Sequence, residues 1–185
     1  MTHHRKPNTY FYKKEDRSHS LVSALNEHLI DLRKSQLKEA FSNYEGAGHR
    51  LEYVKTINRV DFINDSRALT ANAVWYAMQS MYKPITWIMN MTDIEEVTED
   101  LLDVIQEKVK RIVIQGVYNS EVIDLFTGLG KEVAFAMNLE DAVRTSLYSS
   151  DQGDVVLFSP GTPSRGIFHS YQDRGEKFKE AIAQL

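Results

Sequence analysis

Asp65, Ser66 and Arg67 stand where an apolar run, Val60 to Asn64, gives way to a helical pattern, and they bring a carboxylate, a hydroxyl and a guanidinium to one turn. A carboxylate there can accept from a ribose hydroxyl or orient a base, and a guanidinium can hold a phosphate or carboxylate through two parallel hydrogen bonds. Asp65 or Ser66 can equally cap the next helix by accepting from its free backbone N–H groups, and Arg67 can equally be an exposed structural arginine. Ser159, Thr162 and Ser164 offer hydroxyls to an anion, but Pro160 and Pro163 between them remove two backbone donors. That segment reads as a stiff turn more readily than as an all-backbone phosphate cradle. Phe168 and Tyr171 read as satellite core or as a stacking platform.

Other chemistries lack their residues. The chain has no cysteine, which removes disulfides, thiolate catalysis and cysteine-bound zinc together. No G-x-x-x-x-G-K-[ST] occurs, and Gly128-Leu129-Gly130-Lys131 precedes a strand pattern instead of opening a helix. His3, His4, His19, His28, His49 and His169 form no H-E-x-x-H or similar ligand pair, so no metal is expected. Neither G-x-S-x-G nor a Cys–His pair is present.

The elements that would position these groups follow from hydrophobic periodicity. Apolar runs at Leu51 to Val54, Val60 to Asn64, Ile85 to Met89, Ile112 to Ile114, Val133 to Ala136 and Val155 to Phe158 are nearly unbroken, as in strands covered on both faces. Helical patterns lie between them near 67–81, 95–109, 119–127 and 139–149, with a last one near 173–184 opened by Asp173 and Arg174. In the segment 95–109 the acidic Glu95, Glu96, Glu99 and Asp100 lead and Lys108 and Lys110 follow, which suits a helix dipole. The alternation predicts a Rossmann-like doubly wound α/β domain with a mostly parallel sheet of about six strands. Ligands of such sheets bind beyond the carboxyl ends of the strands. Here those ends are Asp65-Ser66, Asn90 to Asp93, Gly116 to Asn119, Asn138, and Ser159 to Ser164.

Residues 1–18 show no period and read as a flexible arm, and residues 19–48 read as a helical hairpin ended by Gly46 and Gly48. The α/β domain is expected over 49–185. The polar, aromatic start at Met1 carries no secretory apolar stretch and reads as the beginning of a natural short protein. No run reaches the roughly 20 apolar residues of a membrane span, so a cytoplasmic protein without membrane contact is expected. A net charge of −4 on 185 residues, without a large Lys/Arg cluster, excludes a phosphate-tracking nucleic-acid surface.

The pattern resembles the C-terminal domain of the Mur ligases, ATP-dependent amide ligases of peptidoglycan precursor synthesis, and within them the D-glutamate-adding branch. His49-Arg50-Leu51-Glu52 resembles the family's His-Arg-hydrophobic-Glu, and Asn64 to Ala68 resembles its Asn-Asp-Ser-Lys-Ala. Trp75-Tyr76-Ala77, Lys83-Pro84, Ser159-Pro160, Ser164, Phe168 and Tyr171 to Gly175 fit the rest, and the hairpin at 19–45 looks like the last helices of the ATP-binding central domain. By this resemblance Arg50, Asp65 and Arg67 are nucleotide-contact candidates. Ser66, Ser159, Ser164, Phe168 and Tyr171 are substrate-contact candidates. No cofactor is implied for this chain alone, whereas ATP and Mg2+ are implied for a complete ligase; a Mur ligase or another cell-wall synthesis protein is the implied partner.

Departures from the family pattern fall at the strand ends. Leu69 stands where the family has a threonine hydroxyl, and Asn90-Met91-Thr92-Asp93-Ile94-Glu95 stands for Gly-Gly-x-Asp-Lys-Gly. Val117 and Tyr118 replace Lys-Asp after Gly116. Loss of one buried charged partner costs about 2–5 kcal/mol of binding, so D-glutamate affinity is expected to be lost. The implied function is a catalytically degenerate, stand-alone binding or regulatory module. The alternative is the C-terminal lobe of a D-glutamate ligase that needs ATP- and UDP-binding domains from elsewhere.

Overall fold

The computed structural model describes residues 48–185. The expected arm and hairpin at 1–48 lie, but for Gly48, outside the described residues. The described part opens with a hairpin of β1 (Glu52–Ile57) and β2 (Val60–Asn64), turned by Asn58 and Arg59, both left-handed at φ 52° and 65°. Two consecutive positive φ angles make the tight turn whose twist matches antiparallel strands. There follow α1 (Ala71–Gln79), β3 (Ile85–Met89), a 3-10 turn (Ile94–Glu96), α2 (Glu99–Lys108) and β4 (Val109–Gln115). The chain continues through α3 (Ser120–Gly128), β5 (Glu132–Ala136), α4 (Leu139–Ser149), β6 (Val155–Phe158) and α5 (Tyr171–Ala183).

The sheet runs β1-β2-β6-β3-β4-β5, antiparallel only between β1 and β2, so the expected mostly parallel α/β sheet is the one observed. All residues of β3 and β6 are buried, because helices cover both faces. Ile85, Trp87 and Met89 pack with Leu157, Ile112 and the inner sides of α1, α2 and α3. Ile88, Val156 and Phe158 face the other way, onto Val143 of α4 and Phe178 of α5. The return of β6 to a place between β2 and β3 sets its carboxyl end beside Asp65.

Three helix starts differ from the sequence expectation. Neither Asp65 nor Ser66 caps α1: Thr70 does, accepting from Ala73 N, and the residues between are a turn. The single helix expected over 95–109 is split at Val97. Asp93 caps the short 3-10 turn, and Thr98 starts α2 by accepting from Leu101 N. Helix α5 begins at Tyr171, not Asp173, because Ser170 accepts from Asp173 N; Arg174 is then one turn inside and buried.

Candidate functional site

Parallel pairing of Asn64 with Phe158 carries the chain on to Asp65 and Ser159 side by side at the carboxyl end of the sheet. Asp65 N donates to the Phe158 carbonyl at 2.8 Å, and Ser159 Oγ donates to Asp65 Oδ2 at 2.8 Å. The other carboxylate oxygen accepts from Leu51 N at 3.2 Å. Asp65 is 4% exposed, and this burial pushes its carboxyl up to about 7, against the opposing pull of Ser159, Leu51 N and the Arg50 charge.

Next to it, Asn64 holds the incoming chain. Its Nδ2 donates to Glu52 Oε2 at 2.9 Å and lies 3.1 Å from His49 Nδ1, while its Oδ1 accepts from Ser66 N at 3.1 Å. Ser66 is buried with no hydrogen-bond partner for its hydroxyl. Its carbonyl accepts from Arg174 Nη2 at 2.8 Å, and the same nitrogen donates to the Thr162 carbonyl at 3.0 Å. Burial lowers the Arg174 guanidinium to about 10, which leaves it charged at neutrality. Gly175 lets α5 come this close, since a Cβ there would collide with His49 Nδ1 and Ser66 Oγ and sit 2.9 Å from Asn64 Nδ2.

The sequence candidates therefore divide. Arg50, Asp65, Ser66, Arg67 and Tyr171 gather at one place. Arg50 and Arg67 are exposed, and the Arg67 guanidinium lies 5.6 Å from the Tyr171 ring centre. His49 meets the same ring edge-on, with centroids 6.0 Å apart. Ser159 and Phe168 lie inside: the Ser159 hydroxyl is bound to Asp65, its carbonyl accepts from Trp87 Nε1 at 2.8 Å, and Phe168 joins the α5 core. Ser164 is half-buried with an unpartnered hydroxyl. Arg174 and Asn64, which tie these loops together, were not singled out as site residues from the sequence. The signal available was an arginine directly before a glycine in a helical pattern.

The neighbouring strand ends are closed by backbone. Asn90 N donates to the Pro160 carbonyl and Gly161 N to the Ala68 carbonyl, each at 3.0 Å. Gly161 has φ 77°, and a Cβ there would lie 2.7 Å from Met91 Cγ. The Asn90 side chain is turned inward onto the carbonyl and side-chain oxygens of Gln115. Ile94, Val117, Tyr118 and Met137, all at this end of the sheet, are exposed.

Open depressions do exist elsewhere. One, of about 730 Å3, lies at the amino ends of the strands and is lined by Tyr82, Lys83, Lys108, Arg111 and Lys131 among others. Its cations are engaged: Lys83 with Asp61, Lys108 with three carbonyls of the α1 terminus, Lys131 with the Gln106 carbonyl and Arg111 with Glu132. It lies at the opposite end of the sheet from the carboxyl ends of the strands, where ligands of such sheets bind. Among the described residues no three His, Cys, Asp or Glu side chains converge as a metal site, and no helix is long and apolar enough to cross a membrane.

No protein-family model matches the sequence. The chain is 36% identical over 172 residues to the UDP-N-acetylmuramoylalanine–D-glutamate ligase of Christiangramia forsetii, a match covering 93% of this chain and 39% of that protein. It is 34% identical over 167 residues to the ligase of the same name from Bacteroides fragilis, covering 90% of this chain and 38% of that one. The chain thus spans well under half the length of the curated relatives it matches. In fold it is similar to the UDP-N-acetylmuramate–alanine ligase of Thermotoga maritima, at TM-score 0.51 and 18% identity, over 79% of this chain and 32% of that one. The class these observations define is the α/β C-terminal domain of the Mur ligases. Within it, the chain belongs to the family of the UDP-N-acetylmuramoylalanine–D-glutamate ligases and corresponds to their C-terminal part.

Proposed function

We propose that this chain serves peptidoglycan precursor synthesis in the cytoplasm as a catalytically degenerate C-terminal module that binds or regulates a protein partner, a Mur ligase or another cell-wall synthesis protein. The observation that carries this reading is the surface at the carboxyl ends of β3 and β4. Exposed Ile94, Val117 and Tyr118 stand there, where the family pattern has Lys and Lys-Asp. An exposed apolar surface is suited to protein contact, whereas carboxylate recognition needs a cation. The described residues do not by themselves fit Mg-ATP. Asp65 is buried and already accepts two hydrogen bonds, and among the described residues no three His, Cys, Asp or Glu side chains converge to hold the metal.

The test is phosphate release from Mg-ATP in the presence of D-glutamate and UDP-N-acetylmuramoyl-L-alanine. No release above a heat-killed control is expected, and release that depends on D-glutamate would sink the proposal.

One observation favours a second reading, a lobe completed by ATP- and UDP-binding domains. Arg50 and Arg67 remain exposed beside Asp65 and Tyr171, the arrangement a nucleotide's phosphates would meet. Activity appearing on mixing with such domains, and lost in Arg67→Ala, would support it.

A further inference from the structure

We propose that β5 is the pairing edge of a two-fold symmetric dimer, in which a second copy of this chain adds its own β5 antiparallel across Phe135. The sheet ends in two edge strands that are treated differently. The outer strand β1 is bulged between Tyr53 and Lys55 and carries charged Glu52 and Lys55, devices that discourage pairing. Strand β5 has neither proline nor bulge; its one charge, Glu132, stands at its first residue and is paired with Arg111, and from Val133 through Met137 the chain reads Val-Ala-Phe-Ala-Met without a charge. Phe135 is 37% exposed and Met137 80%, and Phe135 meets the exposed Tyr118 ring with centroids 5.6 Å apart.

The backbone sets the possible register. Gly116 N donates to the Ala136 carbonyl, so Ala136, and by alternation Ala134, turn their polar groups toward β4. Val133, Phe135 and Met137 therefore turn theirs outward, where among the described residues no strand receives them. An antiparallel mate centred on Phe135 makes Phe135 opposite itself a hydrogen-bonded pair, with Val133 opposite Met137 and Ala134 opposite Ala136. Every position from 133 to 137 then faces an apolar residue. A register centred on Ala134 instead sets Lys131 against Met137.

Charge argues for the same occupant. Lys131 at one end of the edge and Glu140 at the other have no ion-pair partner among the described residues; the Lys131 ammonium uses one of its three donors, on the Gln106 carbonyl at 3.0 Å. A two-fold axis at Phe135 brings each Lys131 to the acidic first turn of the other copy's α4, Glu140 and Asp141. Such a contact is self-complementary and closes as a dimer, which an unrelated strand has no reason to match.

The test is sedimentation of the whole chain, with two variants. The native chain is expected at twice its 21.3 kDa mass, and Phe135→Lys at the monomer mass with unchanged circular dichroism. Because the chain has no cysteine, Phe135→Cys should cross-link to itself under mild oxidation while Tyr148→Cys, exposed on α4, should not. A monomeric native chain, a dimer that survives Phe135→Lys, or equal cross-linking of the two cysteine variants would each overturn the proposal.

Discussion

Asp65 sits in a position that ionises at a cost. Its carboxyl is pushed up to about 7 by burial, whereas in the unfolded chain it titrates near 3.8. Between those values the folded state holds a proton that the unfolded state has released, so this group's contribution to stability falls as pH rises from about 4 to about 7 and is level above. Asp65→Asn keeps an acceptor for Leu51 N and a polar group facing Ser159, and it does not ionise. Relative to the native chain, the variant should gain up to about 4 kcal/mol between pH 4 and pH 8, read from urea midpoints at each pH. A difference that stays constant over that range would mean that Asp65 titrates normally. The neighbouring Ser66 hydroxyl and Arg174 Nε, both buried without partners, show that the packing of this corner leaves polar capacity unused. Arg174 nevertheless joins the loops after β2 and β6 through the carbonyls of Ser66 and Thr162.

At the scale of elements, the strands buried on both faces were the most legible. Val60–Asn64, Ile85–Met89 and Val155–Phe158 have the limits their apolar runs suggest, because every residue of β3 and β6 needs an apolar neighbour on one face or the other. The Asn58-Arg59 turn was not legible, since a tight turn with two left-handed residues usually announces itself with glycine and Arg59 does not. Nor was the break at Val97, which lies between two acidic stretches that each look like a helix start. The strand-end positions of Asp65 and Ser159 could be read from sequence. Their hydrogen bond could not, because it joins residues 94 apart through the register of β2 with β6. The split of the 95–109 segment makes a prediction. Thr98→Ala removes the hydroxyl that caps α2 and should cost about 1 kcal/mol in urea unfolding. In one continuous helix from 95, residue 98 would be an interior exposed position, and the same change would be neutral or slightly stabilising.

Across the described residues the two ends of β3, β4 and β5 are built from different materials. Their carboxyl ends expose Ile94, Val117, Tyr118 and Met137, whereas the amino end of the sheet is laced by charge. At its centre is Asp154, just before β6, with a side chain only 3% exposed. It accepts from Lys110 Nζ at 3.0 Å, from Arg111 Nη1 at 3.5 Å and from Asp151 N at 3.0 Å. Arg111 reaches on to Glu132 of β5 at 2.9 Å, so one connected set of charges joins the starts of β6, β4 and β5. Removing one partner of a fully buried pair costs about 3–5 kcal/mol, but Lys110 is 43% exposed and water offsets much of its loss. Asp154→Asn, which keeps an acceptor for Asp151 N, should therefore lose roughly 1–2 kcal/mol at low salt, and less as salt screens the outer cations. Asp154→Ala should lose a further increment of about 1 kcal/mol that salt does not change, because the backbone donor of Asp151 is then left without its partner. Urea midpoints for both variants at low and high salt separate the two contributions. An Asp154→Asn protein as stable as the native chain at low salt would show that the strand starts are held by their backbone ladder and core contacts alone.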